Sequence, residues 1–263
     1  MASWQDPFSP SRGSGVLPGT LTHFVQLKGC SPPRLLQLAE AGSCIELSRA
    51  VDYEVVSSGW ESRVAGKREF ALASPVSLLS WLIRHPRMPV SGTLSENPEK
   101  RRKRQEWADN SPERLKEALR LLRNNPTGED WFLFEGPSQP DVYLETRNLI
   151  VVIEGKRTEP KPTTGTKWMP DRQQMLRHLD CAWEVKGQKQ IIGFFIVEGL
   201  GESMDVPATW INFSRETIST RAVATSLPHR GPEEQAGIAA AFCGVTTWQR
   251  VCSEFDIEWR NMP

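Results

Sequence analysis

The chain has 263 residues, 38% apolar and 24% charged, enough to bury a substantial core and too apolar for a disordered chain. Its 32 basic and 32 acidic residues cancel, so any polyanion must be bound through a local patch, and net charge nominates no partner. Five cysteines, odd in number and without a Cys-x-x-Cys pair, argue against a structural zinc site, and no window approaches the ~20 apolar residues that span a bilayer.

The opening stretch MASWQDPFSPSRGSG has neither the basic start nor the continuous apolar run of a signal peptide. A cytoplasmic protein in a reducing compartment, with no membrane partner, is expected. Residues 1 to 30 are rich in Pro, Gly and Ser and read as irregular chain laid over the domain. Among the short pieces that follow, Ser74 to His85 is the clearest helix: Ser74 is placed to cap it, Pro75 falls in its first turn, and Leu78, Leu79, Trp81 and Leu82 approach helical spacing. A polar break then carries the basic run Lys100 to Arg104, either a solvated face or a track for a phosphate backbone.

The next helix is well marked. Ser111 caps it, Pro112 occupies its first position, Leu115, Leu119 and Leu122 repeat on one face, and Asn125-Pro126 ends it. Three strands are predicted next, at 131–135, 141–146 and 149–156. A helix from about Pro170 to Gly187 and a fully apolar strand at 190–197 follow. The order is helix, three strands, helix, strand, which makes the fold class α/β. Beyond it lie a predicted strand around TWINFS, a helix over Pro232 to Phe242 ended by Gly244, and a last helix from about Thr247. No internal repeat suggests a solenoid or propeller.

The two strands at 141–146 and 149–156 carry the chemistry. With Arg147 and Asn148 as a two-residue turn, Thr146 faces Leu149, and the same register sets Val142 against Ile153 and Leu144 against Val151. On the opposite face Asp141 then stands across from Glu154, with Lys156 two residues further along the same side. Two carboxylates so placed repel unless something positive separates them. A hard divalent cation, Mg²⁺ or Mn²⁺, suits their oxygens, and a neighbouring ammonium is suited to hold a metal-activated water.

Pro140-Asp141 followed by Glu154-Gly155-Lys156 on adjacent strands resembles the PD-(D/E)xK nuclease superfamily, over roughly Ser111 to Val197. The resemblance implies a mixed central sheet flanked by helices, an α-β-β-β-α-β restriction endonuclease-like core. It divides the chain into an N-terminal extension at 1–95, the nuclease-like core at 96–200, and a C-terminal strand and helices at 201–263 that pack on the core. It also implies metal-dependent hydrolysis of nucleic-acid phosphodiester bonds, with DNA favoured over RNA. Carried over by position, Asp141 and Glu154 become metal ligands, the Gly155 carbonyl a further ligand, and Lys156 the residue that positions the attacking water. Some members carry an acid on the first helix, for which Glu113 and Glu117 are candidates. RecB-type nucleases have Gln-x-x-x-Tyr on the following helix, where this chain has Gln174 and His178.

Six basic residues against two acids lie between Lys156 and His178; Arg157 and Lys167 among them are read either as phosphate contacts or as solvent-facing charge. Arg172 falls near the apolar face of its helix, where it either holds a phosphate or pairs with a structural acid; the phosphate reading is carried forward. Gln174 and His178, one turn apart, are expected to point toward the site as nucleic-acid contacts, with a hydrogen-bonding role the other reading of His178. Trp168 is the best candidate for base stacking. The alternative function is a non-catalytic nucleic-acid-binding or assembly protein on the same scaffold. No nucleophile elbow, Walker A loop or His-Glu-x-x-His pair points to other chemistry.

Overall fold

All eight residues of the run LIVVIEGK are buried, and the elements around it are arranged to cover both of its faces. The computed structural model describes residues 55–60, 71–89, 97–126, 130–163, 165–201 and 203–254. In chain order these form strand β1 (Val55–Trp60), helices α1 (Val76–Arg84), α2 (Pro98–Ala108) and α3 (Pro112–Asn124), and strands β2 (Val142–Thr146) and β3 (Leu149–Lys156). Helix α4 (Gln174–Val185) and strand β4 (Gln190–Val197) come next, then helices α5 (Ala208–Thr217), α6 (Thr220–Ser226) and α7 (Pro232–Ala240), strand β5 (Phe242–Thr247) and helix α8 (Trp248–Glu254).

The five strands lie in the order β1-β2-β3-β4-β5. Strand β2 runs antiparallel to both β1 and β3, whereas β4 runs parallel to β3 and β5 parallel to β4. The protein is therefore an α/β fold with a mixed sheet and flanking helices. No described helix is long and apolar enough to cross a membrane.

The hairpin adopts the expected register, Val142 opposite Ile153 and Leu144 opposite Val151. Thr146 secures the turn, its hydroxyl accepting the Leu149 N–H at 3.0 Å. Because side chains alternate along a strand, Ile150, Val152, Glu154 and Lys156 share one face of β3. That face meets α4, where Ile150 and Val152 join Met175, Leu176 and Leu179 in the larger core. Close approach is possible because β4 carries Gly193 there: a Cβ at that position would lie 2.7 Å from Leu179 Cδ2 and 3.0 Å from Met175 Sδ.

A second core gathers Leu78, Leu79 and Leu82 of α1, Ala118 and Leu122 of α3, and the aromatic residues Trp107, Trp131, Phe132, Phe134 and Trp168. Ser111 caps α3 as expected. Ser74 does not cap α1; its hydroxyl donates instead to the Gly136 carbonyl at 2.6 Å.

Four elements differ from expectation. Residues 131–135 form no strand, because Trp131, Phe132 and Phe134 are drawn into the helical aromatic core and leave the backbone irregular. The sheet's remaining antiparallel strand is β1, whose polar centre Ser-Ser-Gly conceals it in the sequence. It comes from the segment assigned to the N-terminal extension, most of which lies outside the described residues. TWINFS belongs to helix α5, with Trp210 as its buried anchor. The helix expected to reach Phe242 ends at Ala240, and Phe242–Thr247 becomes β5, pairing with β4.

The packing at Gly193 generates a stability prediction. Gly193→Val must push Leu179 and Met175 off their positions, so it should lower unfolding free energy by about 1–3 kcal/mol, measured by urea denaturation. An unchanged midpoint would mean that α4 sits further from the sheet than described.

Candidate active site

Asp141 immediately precedes β2 and is half-buried. Its Oδ2 accepts the Gly155 N–H at 2.7 Å, which ties the start of one strand to the end of its neighbour. Glu154 lies almost wholly out of solvent, at 4% side-chain exposure. Its Oε1 accepts from Gln174 Nε2 at 2.5 Å and from Lys156 Nζ at 2.8 Å. Its Oε2 lies 3.1 Å from His178 Nε2, yet the alignment is poor and neither atom has a directed hydrogen bond. On the far side of the imidazole, Nδ1 is 2.6 Å from Ser138 Oγ. Asp141, Glu154, Lys156, Gln174 and His178 are thus brought to one end of the β2–β3 pair.

The electrostatics follow from burial. Removal from water would push the Glu154 carboxyl up, but the contacts with His178 and then Lys156 outweigh that and hold it below its ordinary value. Burial likewise works against the Lys156 ammonium, and Glu154, with a smaller contribution from Asp141, more than compensates, so its pKa is raised. Near neutral pH the pair is a carboxylate and an ammonium. Lys156 is therefore a donor and a fixed positive charge, not a base.

Other candidates fall elsewhere. Gly155 sits in β3 opposite Ile196 of β4. Arg157, just beyond β3, is half-buried with Nε 3.3 Å from Glu198. Lys167 is half-buried in the loop before α4. His178 is fully buried, which corrects its assignment as a nucleic-acid contact: what it meets is Glu154. Trp168 packs edge-on against Phe134 and Trp107 at 3% exposure, unavailable to stack on a base. Glu117 pairs with Arg114 and Lys103, and Glu113 caps the start of α3 through Ser111. In the basic run, Arg102 pairs with Glu106, Lys103 with Glu117 and Glu99, and Arg104 donates to the Trp131 carbonyl.

Arg172 requires the largest correction. Its side chain has no solvent exposure, and its three nitrogens donate to Glu135 at 3.0 Å, to Asp180 at 2.8 Å and to the Ser226 carbonyl. Wholly enclosed among these partners, the guanidinium is out of reach of a phosphate. Asp180 also meets His229 at 3.1 Å and Arg230 at 2.8 Å. Burial opposes its charge, but His229 and Arg172 hold its pKa down at about 2. Glu135, facing the same arginine, goes the other way, because burial outweighs Arg172 and raises its pKa. Sequence reasoning did not find Glu135, Ser138 or Asp180. Asp180 had a signal: it lies one turn after Leu176 and beside Leu179, on the face that must be buried.

Among the described residues no three acids, histidines or cysteines gather around one point. Asp141, bonded to the N–H of the residue after Glu154, brings a second carboxylate to the same strand end, and Glu154 Oε2 and Gln174 Oε1 are buried oxygens without a hydrogen-bond partner. That set fits a hard ion of the Mg²⁺ kind, which binds through one or two carboxylates and keeps several waters. No family model, curated protein or solved structure matches the chain.

The Asp180 cluster predicts an acid-sensitive step. Because its pKa falls from 3.8 when unperturbed to about 2 in the fold, its contribution is complete above the ordinary value and disappears as pH falls toward the folded one. That contribution is about 2 kcal/mol. Urea denaturation between pH 5 and pH 2 should show it, and Asp180→Asn should lose this part of the slope; an identical slope in the variant would refute the assignment.

Proposed function

We propose that the protein is a metal-dependent nuclease, with Asp141, Glu154 and Lys156 as its catalytic residues on a restriction endonuclease-like core. The observation that carries the reading is the convergence of two carboxylates and a buried ammonium at adjoining ends of two antiparallel strands. Helix α4 adds to it by supplying Gln174 and His178 to the more deeply buried acid. The strand order is compatible, an antiparallel trio continued by a parallel strand after a helix.

In this reading Asp141, Glu154 and the Gly155 carbonyl hold Mg²⁺ or Mn²⁺. The bound ion supplies an acidified water and neutralises charge on the phosphate. Lys156 keeps its proton and orients the water by donating to it, with Glu154 fixing where the ammonium sits. Gln174 locks the Glu154 carboxylate in its plane. Arg157 and Lys167, at the rim, contact the backbone phosphates of a nucleic acid, with DNA the favoured substrate, and the activity is cytoplasmic. A second reading, a non-catalytic nucleic-acid-binding or assembly protein, is favoured by one feature: Glu154 Oε1 already accepts from both Lys156 and Gln174, so the acid is internally satisfied on that side.

Labelled single- and double-stranded DNA and RNA, incubated with Mg²⁺, Mn²⁺ or EDTA, separate the two. Metal-dependent cleavage should appear on at least one substrate and fall by at least about 100-fold in Asp141→Asn and in Lys156→Met. Lys156→Met should also lower stability, since it leaves Glu154 buried without its cation. Binding without cleavage by folded wild-type protein would favour the scaffold reading.

A further inference from the structure

We infer that Ser138 and His178 form a buried relay that positions Glu154, linking the site to the segment at Leu72. The inference rests on the reading of Glu154 as a cation ligand. Ser138 and His178 both have no solvent exposure, so neither can touch a substrate, and each acts only through what it contacts. Ser138 Oγ is 2.6 Å from His178 Nδ1, and His178 Nε2 is 3.1 Å from Glu154 Oε2.

For a neutral ring the order of these contacts selects one hydrogen arrangement. A neutral imidazole donates from one nitrogen and accepts at the other. Were Nδ1 the donor, the Nε2 lone pair would face a carboxylate oxygen, an unfavourable juxtaposition in a buried site. With the Ser138 hydroxyl donating to Nδ1, Nε2–H faces Oε2 instead. The serine therefore holds the ring in the arrangement that Glu154 requires. Nε2 lies 3.1 Å from Oε2 without an aligned hydrogen bond, and an oxygen has two lone pairs, so Oε2 keeps a direction for a cation.

Ser138 is itself held from outside the site. Its N–H donates to the Leu72 carbonyl at 2.8 Å and its carbonyl accepts the Leu72 N–H at 2.9 Å. Two residues along, Ser74 Oγ donates to the Gly136 carbonyl. The chain running into α1 thereby sets the height of the serine over the imidazole. Ser138 and His178 are positioning residues, as are the outer partners of ligands in many metal sites.

The test uses the full chain and two readouts that need no turnover. Ring ¹⁵N NMR, with His178 assigned by its loss in His178→Asn, should show the Nε2–H form in wild type and a redistributed tautomer signal in Ser138→Ala. Mn²⁺ binding followed by electron paramagnetic resonance should weaken about 10–100-fold in Ser138→Ala, and Ser138→Thr, which keeps the hydroxyl, should recover most of it. Thermal melting confirms that each variant is folded. A ring signal in Ser138→Ala identical to wild type, or undiminished Mn²⁺ affinity, overturns the relay. Wild-type protein that binds no Mn²⁺ but shows the serine-dependent tautomer overturns the cation reading of Glu154 and leaves the relay as a device for holding a buried carboxylate.

Discussion

Two carboxylates buried at helix α4, Glu154 facing it and Asp180 on it, must each keep a compensating charge. Moving an unpaired carboxylate out of water costs several kcal/mol, more than any single apolar contact returns. Glu154 therefore draws in Lys156, Gln174 and His178, and Asp180 draws in Arg172, His229 and Arg230. These demands fix the rotation of α4 about its axis as firmly as its apolar residues do. Gln174 and His178, four residues apart, turn toward the sheet's end; Asp180, two further on, turns toward the loop between α6 and α7.

The loop from Glu135 to Asp141 is bound into the same arrangement. Glu135 reaches Arg172, Ser138 reaches His178, and Asp141 accepts from Gly155. An irregular stretch of backbone is thereby fixed at three points against a regular scaffold, which is how a loop residue comes to stand at a reproducible distance from a strand residue. Its apolar beginning, Trp131 to Phe134, anchors it a fourth time in the aromatic core.

Legibility in the sequence followed the range of the interactions. The hairpin register was readable because the turn and the apolar pairs Val142–Ile153 and Leu144–Val151 demand the same pairing, and a slip by one residue would reverse both faces. Helix α3 was readable because Ser111, Pro112 and the leucine repeat are local signals. The placing of Glu154 and Lys156 together followed from the alternation of side chains along a single strand. What escaped was set by distant partners. Trp131 and the phenylalanines after it have strand-forming side chains, but the aromatic core that claims them is assembled from α1, α2 and the loop before α4. The weak pattern VVSSGW becomes a strand only because β2 offers it an edge. Arg172 looked like a phosphate ligand because its acids, 37 residues upstream at Glu135 and eight downstream at Asp180, carry no mark of being partners until the chain is folded.

The same distinction separates the two arginine and lysine environments of the molecule. Lys156 and Arg172 are both buried cations beside buried acids, yet their surroundings differ in access. Arg172 is wholly enclosed and donates to Glu135, Asp180 and the Ser226 carbonyl, so its consequence is stability. Lys156 has three donor directions and a described contact to Glu154, beside a half-exposed Asp141, while Glu154 Oε2 and Gln174 Oε1 remain without directed partners. Both clusters keep a buried carboxylate oxygen without a directed partner, Glu135 Oε2 in one and Glu154 Oε2 in the other. The difference lies in what can reach them: the Arg172 guanidinium has no exposure, whereas the Lys156 ammonium is slightly exposed beside a half-exposed Asp141.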